Sequence, residues 1–144
     1  MDYLAAFDIS ASGMVAQKTR LETVALNIAN THTTRTTEGG PFRKLIAVLA
    51  EKSSFSKTGD FSLQGKNTKG VEVIDIVPTI TEPRRVFEPA HPDADEKGFV
   101  AYPDINPTTE MIVLMEAQRG YSANVKALNA ARQMAASALE IGER

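Results

Sequence analysis

Cysteine is absent from the 144-residue sequence, so disulfides and thiol-ligated metals are excluded. That absence suits export to an oxidising space without demanding it. No window of eighteen apolar residues occurs, and membrane insertion is not expected. The first thirty residues lack the basic start and unbroken apolar core of a cleavable signal peptide. If the chain leaves the cytoplasm, another route must carry it. No basic run exceeds Arg84-Arg85 and the formal net charge is −2, which gives no reason to expect nucleic acid.

Catalytic signatures are missing too. There is no G-x-S-x-G, no P-loop and no G-x-G-x-x-G. The serines fall in a polar run at 53–56 and inside a helical stretch at 10–12, neither a setting for an activated nucleophile. His32 lies in a threonine-rich loop with no triad-like context. His91, Asp93, Asp95 and Glu96 alone have the flavour of a metal site, but the glycine and distal glutamate of a calcium loop are lacking. They are expected to form an acidic turn that holds no metal. Neither an enzyme nor a cofactor is expected.

What is present is a long helical stretch at each end. The last one opens with Asn106-Pro107, an N-cap followed by a residue with no N–H to waste. Stepping by three and four from Met111 reaches Leu114, Gln118, Tyr121, Val125, Leu128, Arg132, Ala135, Leu139 and Gly142, a heptad seam. Its other faces are rich in alanine, which favours helix and lets neighbouring helices approach closely. The same count from Leu4 gives Phe7, Ala11, Met14, Lys18, Leu21, Ala25 and Ile28. Two such helices predict a pair, parallel or antiparallel, each roughly 40–50 Å long. A seam on one side and an alanine-rich surface on the other require several partners, which suggests polymerisation more than catalysis. Lys18 and Arg132 interrupt the seams as snorkelling side chains at an edge or as polar groups that set register between subunits. Gln118 and Tyr121 can be argued in the same way.

Between the helices the pattern changes. Residues 31–40 carry no apolar side chain and end in paired glycines, so they read as a linker. Leu45–Leu49 is a strand or a single helical turn, with length and flanks favouring a strand. Residues 53–69 read as a solvated hairpin or loop, and Val71–Val77 as a firmer strand. Arg84–Glu88 and Gly98–Pro103 are short strands around an irregular stretch at 89–97 that two prolines and three acids keep out of regular structure. The expected class is α+β: two long terminal helices packed as a coiled-coil-like pair, with a small β-rich module inserted between them. The division is 1–30, 31–106 and 107–144.

Several stretches carry a resemblance to a known family. Ala11-Ser-Gly-Met14, Arg20-Leu-Glu22 and Asn27-Ile-Ala-Asn30 resemble the N-terminal signature of bacterial flagellar rod and hook axial proteins. Thr34-Arg-Thr36, Glu38–Arg43, Gly70–Val73, His91–Asp95, Gly98–Pro103, Glu110-Met111, Tyr121–Asn124 and Leu128-Asn129 follow in order and narrow it to the proximal rod members. The resemblance implies a subunit whose terminal helices form the inner tube of the rod, with the β-rich middle outside. It implies a rod that crosses the periplasm and passes torque from motor to hook. Partners would be further copies of the chain, other proximal and distal rod proteins, the rod-base adaptor and, during secretion, the flagellar export apparatus. Expected subunit-interface residues are Leu4, Phe7, Met14, Leu21, Asn27, Ile28, Asn30, Met111, Leu114, Tyr121, Val125, Leu128, Ala135 and Leu139. The rival reading is a soluble coiled-coil adaptor that acts as a discrete dimer.

Overall fold

Asn106 starts the longest element as its chemistry dictates. Its side-chain oxygen accepts a hydrogen bond from the Thr108 N–H at 2.9 Å, satisfying one of the donors a helix start leaves free. The computed structural model describes residues 3–52 and 70–142, with side chains for 5–52 and 70–140. Along the chain come α1 (Tyr3–Ala29), β1 (Leu45–Lys52), β2 (Gly70–Pro78), β3 (Arg84–Phe87), β4 (Phe99–Tyr102) and α2 (Pro107–Gly142). The class is α+β, with two long helices flanking a small antiparallel module. The 53–69 loop and the Leu4 side chain lie outside the described residues. Gly120 does not interrupt α2.

The end of α1 is stopped by its own side chains. Asn30 donates its amide back to the Leu26 carbonyl at 2.9 Å, and the Thr31 hydroxyl donates to the Ile28 carbonyl at 2.7 Å. These bonds satisfy carbonyls that a helix end leaves open. The threonine-rich linker, expected not to pack, therefore begins with a buried residue, Thr31. It then turns back on itself. Gly39 and Gly40 both have positive φ, and the Thr36 N–H donates to the Gly40 carbonyl at 2.9 Å, a geometry that favours glycine.

The strands form two separate hairpins. In the first, β1 runs antiparallel to β2 from Leu45 opposite Pro78 to Lys52 opposite Gly70, with an irregularity between Val48 and Leu49. This hairpin lies along α1. Leu45 meets Asn27 at one end, and at the other the Val71 N–H donates to the Ser12 hydroxyl at 3.1 Å. The lengths agree: fifteen helical residues from Asn27 to Ser12 cover about 22 Å, and six strand steps from Leu45 to Glu51 cover about 20 Å. A side chain at Gly70 would put its Cβ 2.7 Å from the Ser12 hydroxyl, so the close approach favours glycine there.

The second hairpin pairs β3 with β4 and is fastened to the linker. Thr34 donates to Asp93 at 2.7 Å, and the His32 and His91 rings both pack edge-on against Tyr102. Asp95 shapes the intervening turn, accepting from the Lys97 and Phe99 N–H groups at 2.9 Å. The bond from Phe99 is the main reason its carboxyl titrates below the usual range. Among the described helices and strands, α2 touches only α1, and β1 and β2 both touch α1. The order of layers is hairpin, α1, α2.

Candidate assembly surface

The two helices run antiparallel, and the facing positions fix how. Position 13 faces 124, 17 faces 120, 20 faces 116 and 27 faces 110. Glycine stands on one side of the first two levels. A Cβ at Gly13 would come 2.8 Å from the Asn124 amide, and one at Gly120 would come 3.0 Å from the Gln17 side chain. Each glycine costs its helix about 1 kcal/mol relative to alanine, and in return admits an amide from the opposite helix.

The last of these levels is a clasp that joins three parts of the chain. Asn27 uses its whole side chain: its oxygen accepts from the Leu45 N–H at 2.8 Å, and its amide donates to the Leu45 carbonyl at 2.9 Å and to Glu110 Oε2 at 3.0 Å. The other Glu110 oxygen lies 2.7 Å from Lys44 Nζ. Glu110 is 2% exposed and Lys44 31%. A buried carboxylate is tolerated only when paired and hydrogen-bonded in this way. The clasp holds the end of α1, the start of β1 and the first turn of α2 at one point.

On the two helices the buried residues are small or polar. Ser10, Ala16, Thr23, Val24 and Asn27 are buried on α1, and Glu110, Ala117 and Ala131 on α2. The heptad count had placed the intrachain contact elsewhere. Glu110, Ala117 and Ala131 each precede a counted position (Met111, Gln118, Arg132), and Ser10, Val24 and Asn27 precede Ala11, Ala25 and Ile28. One position is roughly 100° around a helix. The count followed bulk, whereas the contact is made where the side chains are smallest and the axes can approach.

Several large apolar residues are left exposed. Ile9, Val15 and Leu26 on α1, and Met111, Ile112, Met115, Tyr121, Met134 and Leu139 on α2, are exposed, Leu139 by 74%. At 100° per residue, Tyr121 and Leu139 fall on one flank of the buried line of α2, and Ile112 and Met134 on the other. Of the expected interface residues, Phe7, Met14, Leu21, Ile28, Leu114, Val125, Leu128 and Ala135 are half-buried along the flanks. Asn27 is a correction, because it is buried within the subunit and fully engaged there. Asn30, half-buried, bonds to Leu26 and Thr33 of its own chain. Lys18 and Arg132 are exposed, and Lys18 faces Glu22 one turn on at 3.7 Å. The polar groups between the helices are instead Gln17, Asn27, Glu110 and Asn124, which the seam count passed over.

This chain resembles known proteins along its length. Residues 96–141 match the family described as flagellar basal body rod FlgEFG protein C-terminal. The flagellar basal-body rod protein FlgC of Bacillus subtilis (strain 168) is 36% identical over 143 residues, covering 94% of this chain and 95% of that protein. FlgC of Escherichia coli O6:H1 is 34% identical, covering 99% and 100%. FlgC of Aquifex aeolicus is 33% identical over 134 residues, covering 93% and 92%.

Proposed function

The chain belongs to the FlgC family of flagellar basal-body rod proteins and is a structural subunit of the basal-body rod; from that premise we propose that it polymerises through the outward faces of its terminal helices and passes torque from motor to hook. One observation carries the reading. The residues buried on the two helices are small or polar, and many large apolar ones are left exposed. Apolar surface left in water is worth roughly 25 cal/mol per Å² once covered, so neighbours that cover these residues would stabilise the assembly. A two-fold dimer covers one patch, whereas the exposed apolar residues of α2 lie on both flanks. Heterologous contacts that do not close produce a helical polymer.

In this reading Leu4, Phe7, Met14, Leu21, Ile28, Met111, Leu114, Tyr121, Val125, Leu128, Ala135 and Leu139 meet neighbouring subunits. Residues 1–30 and 107–144 form the inner tube, and 31–106 lie outside it. The neighbours are further copies and other proximal and distal rod proteins, with the rod-base adaptor at one end. The rod spans the periplasm, and the chain reaches it through the flagellar export apparatus.

The test is the double substitution Ile112→Asp, Met115→Asp. Both residues are about half exposed, and changes at such sites move stability by only about 0.5 kcal/mol. The subunit should be made and melt as the wild type does, while cells lose motility and isolated basal bodies lack rods. Normal rods from this strain would refute polymerisation through this face. An isolated wild-type chain that sediments as one defined dimer would favour the adaptor.

A further inference from the structure

Four levels along α1 and α2 carry a polar group, three of them buried or half-buried and one, Arg20–Glu116, with exposed side chains. The Asn124 amide sits over Gly13, Gln17 over Gly120, Arg20 lies 3.6 Å from Glu116, and Asn27 bonds to Glu110. This is a poor choice for stability alone. The Gln17 Oε1 is buried with no hydrogen-bond partner among the described residues, and an apolar side chain there would avoid that cost. Apolar surfaces can slide over one another with little preference, whereas buried polar groups accept very few alignments. Slide α1 by one turn along α2 and Asn27 meets Leu114 in place of Glu110, Gln17 meets Asn124 in place of Gly120, and Gly13 meets Leu128.

We infer that the polar levels, with the Asn27–Glu110–Lys44 clasp as the strongest, are positioning residues that fix the register of α1 on α2. Through that register they set the height at which the outward apolar residues of α1 stand beside those of α2. Lys44 extends the device to the β module, because the group that locks α2 also fixes where β1 begins. The register belongs to the single subunit; only its consequence, the relative height of the apolar residues offered to neighbours, rests on the polymerisation reading.

The sequence has no cysteine, so introduced cysteine pairs report register directly. In the full-length chain, Arg20→Cys combined with Glu116→Cys should be joined by a short bismaleimide at least tenfold faster than Arg20→Cys combined with Ile112→Cys or with Arg119→Cys. Asn27→Leu, Lys44→Met and Glu110→Leu together then replace the clasp with apolar groups of similar size. In that background the helicity by circular dichroism should hold while the preference falls to threefold or less. A tenfold preference that persists in the helical triple variant overturns the inference, and so does its absence from the otherwise unaltered chain. If the triple variant loses helicity, Gln17→Leu with Gly120→Ala carries the same expectation and the same refutation. Loss of helicity in both also overturns it, because the polar groups would then hold the pair together and not choose its alignment. Rod formation is not the readout, so a failure of polymerisation leaves this test standing.

Discussion

Replacing Glu110 with alanine should destabilise the subunit more than any other single change in the first turn of α2. Glu110 is 2% exposed, with Lys44 at 2.7 Å on one oxygen and Asn27 at 3.0 Å on the other. Its removal leaves an ammonium and one amide hydrogen without their partner. Breaking a buried ion pair from one side costs about 3–5 kcal/mol. Lys44 is about a third exposed and can turn part of its charge to water, which places the expected loss at the lower end, about 3 kcal/mol. Asn27 keeps both bonds to Leu45, so the strand should stay attached to α1 while α2 loosens. For a chain of this size, about 3 kcal/mol corresponds to a fall in Tm of roughly 10 °C. Thermal melts followed by circular dichroism at neutral pH read the total. Hydrogen exchange at the Leu45 and Glu110 N–H groups separates the two attachments, and only the second should lose protection. A fall in Tm under 3 °C would show that the clasp is not a principal fastening and would refute the argument.

Two further substitutions probe the flank and the β module. Leu128→Asp puts a carboxylate at a half-buried flank position, at a cost on the order of 2 kcal/mol in the subunit. Motility and rods in isolated basal bodies should be lost while the protein is still made; Thr37→Ser, in the exposed linker, should change neither. Asp95 titrates below the usual carboxylate range, chiefly because of the Phe99 N–H, so its stabilising effect is complete above the ordinary value of 3.8 and is lost as pH falls through the depressed one. Exchange at the Phe99 N–H, followed by NMR, should rise over that acid window in the wild type, and Asp95→Asn should remove that dependence.

The sequence showed the elements more readily than their faces. Asn106-Pro107 marked the start of α2 because capping is local chemistry, legible from adjacent residues. The four strands likewise stand where apolar runs meet turn residues. The partition of each helix surface was not legible. A heptad count ranks positions by hydrophobicity and assigns the richest line to the nearest partner, whereas here the nearest partner takes Gly13, Ala16, Ala117 and Gly120. Nor could the count see Asn27 and Glu110 as a pair, since they are 83 residues apart and each is ordinary in its own helix. The available signal was the glycines: two in the interior of otherwise strong helices, each costing about 1 kcal/mol, point to something that must come close.

That distribution of groups also fits what a rod subunit has to do. Most helical stability in proteins comes from packing an apolar face. A chain that leaves much of this face exposed would gain further helical stability when neighbours cover it. Until then the polar levels give the pair a definite alignment. A subunit arriving at a growing end would bring the correct face before it has the stability that face will give it. A core of interdigitated leucines between α1 and α2 would reverse both properties, giving a stable subunit with little left to offer the next one. On the proposed reading the division of labour is between groups that choose the arrangement, Asn27, Glu110, Lys44, Gln17 and Asn124, and groups that would meet neighbouring subunits, the methionines, leucines and isoleucines left exposed.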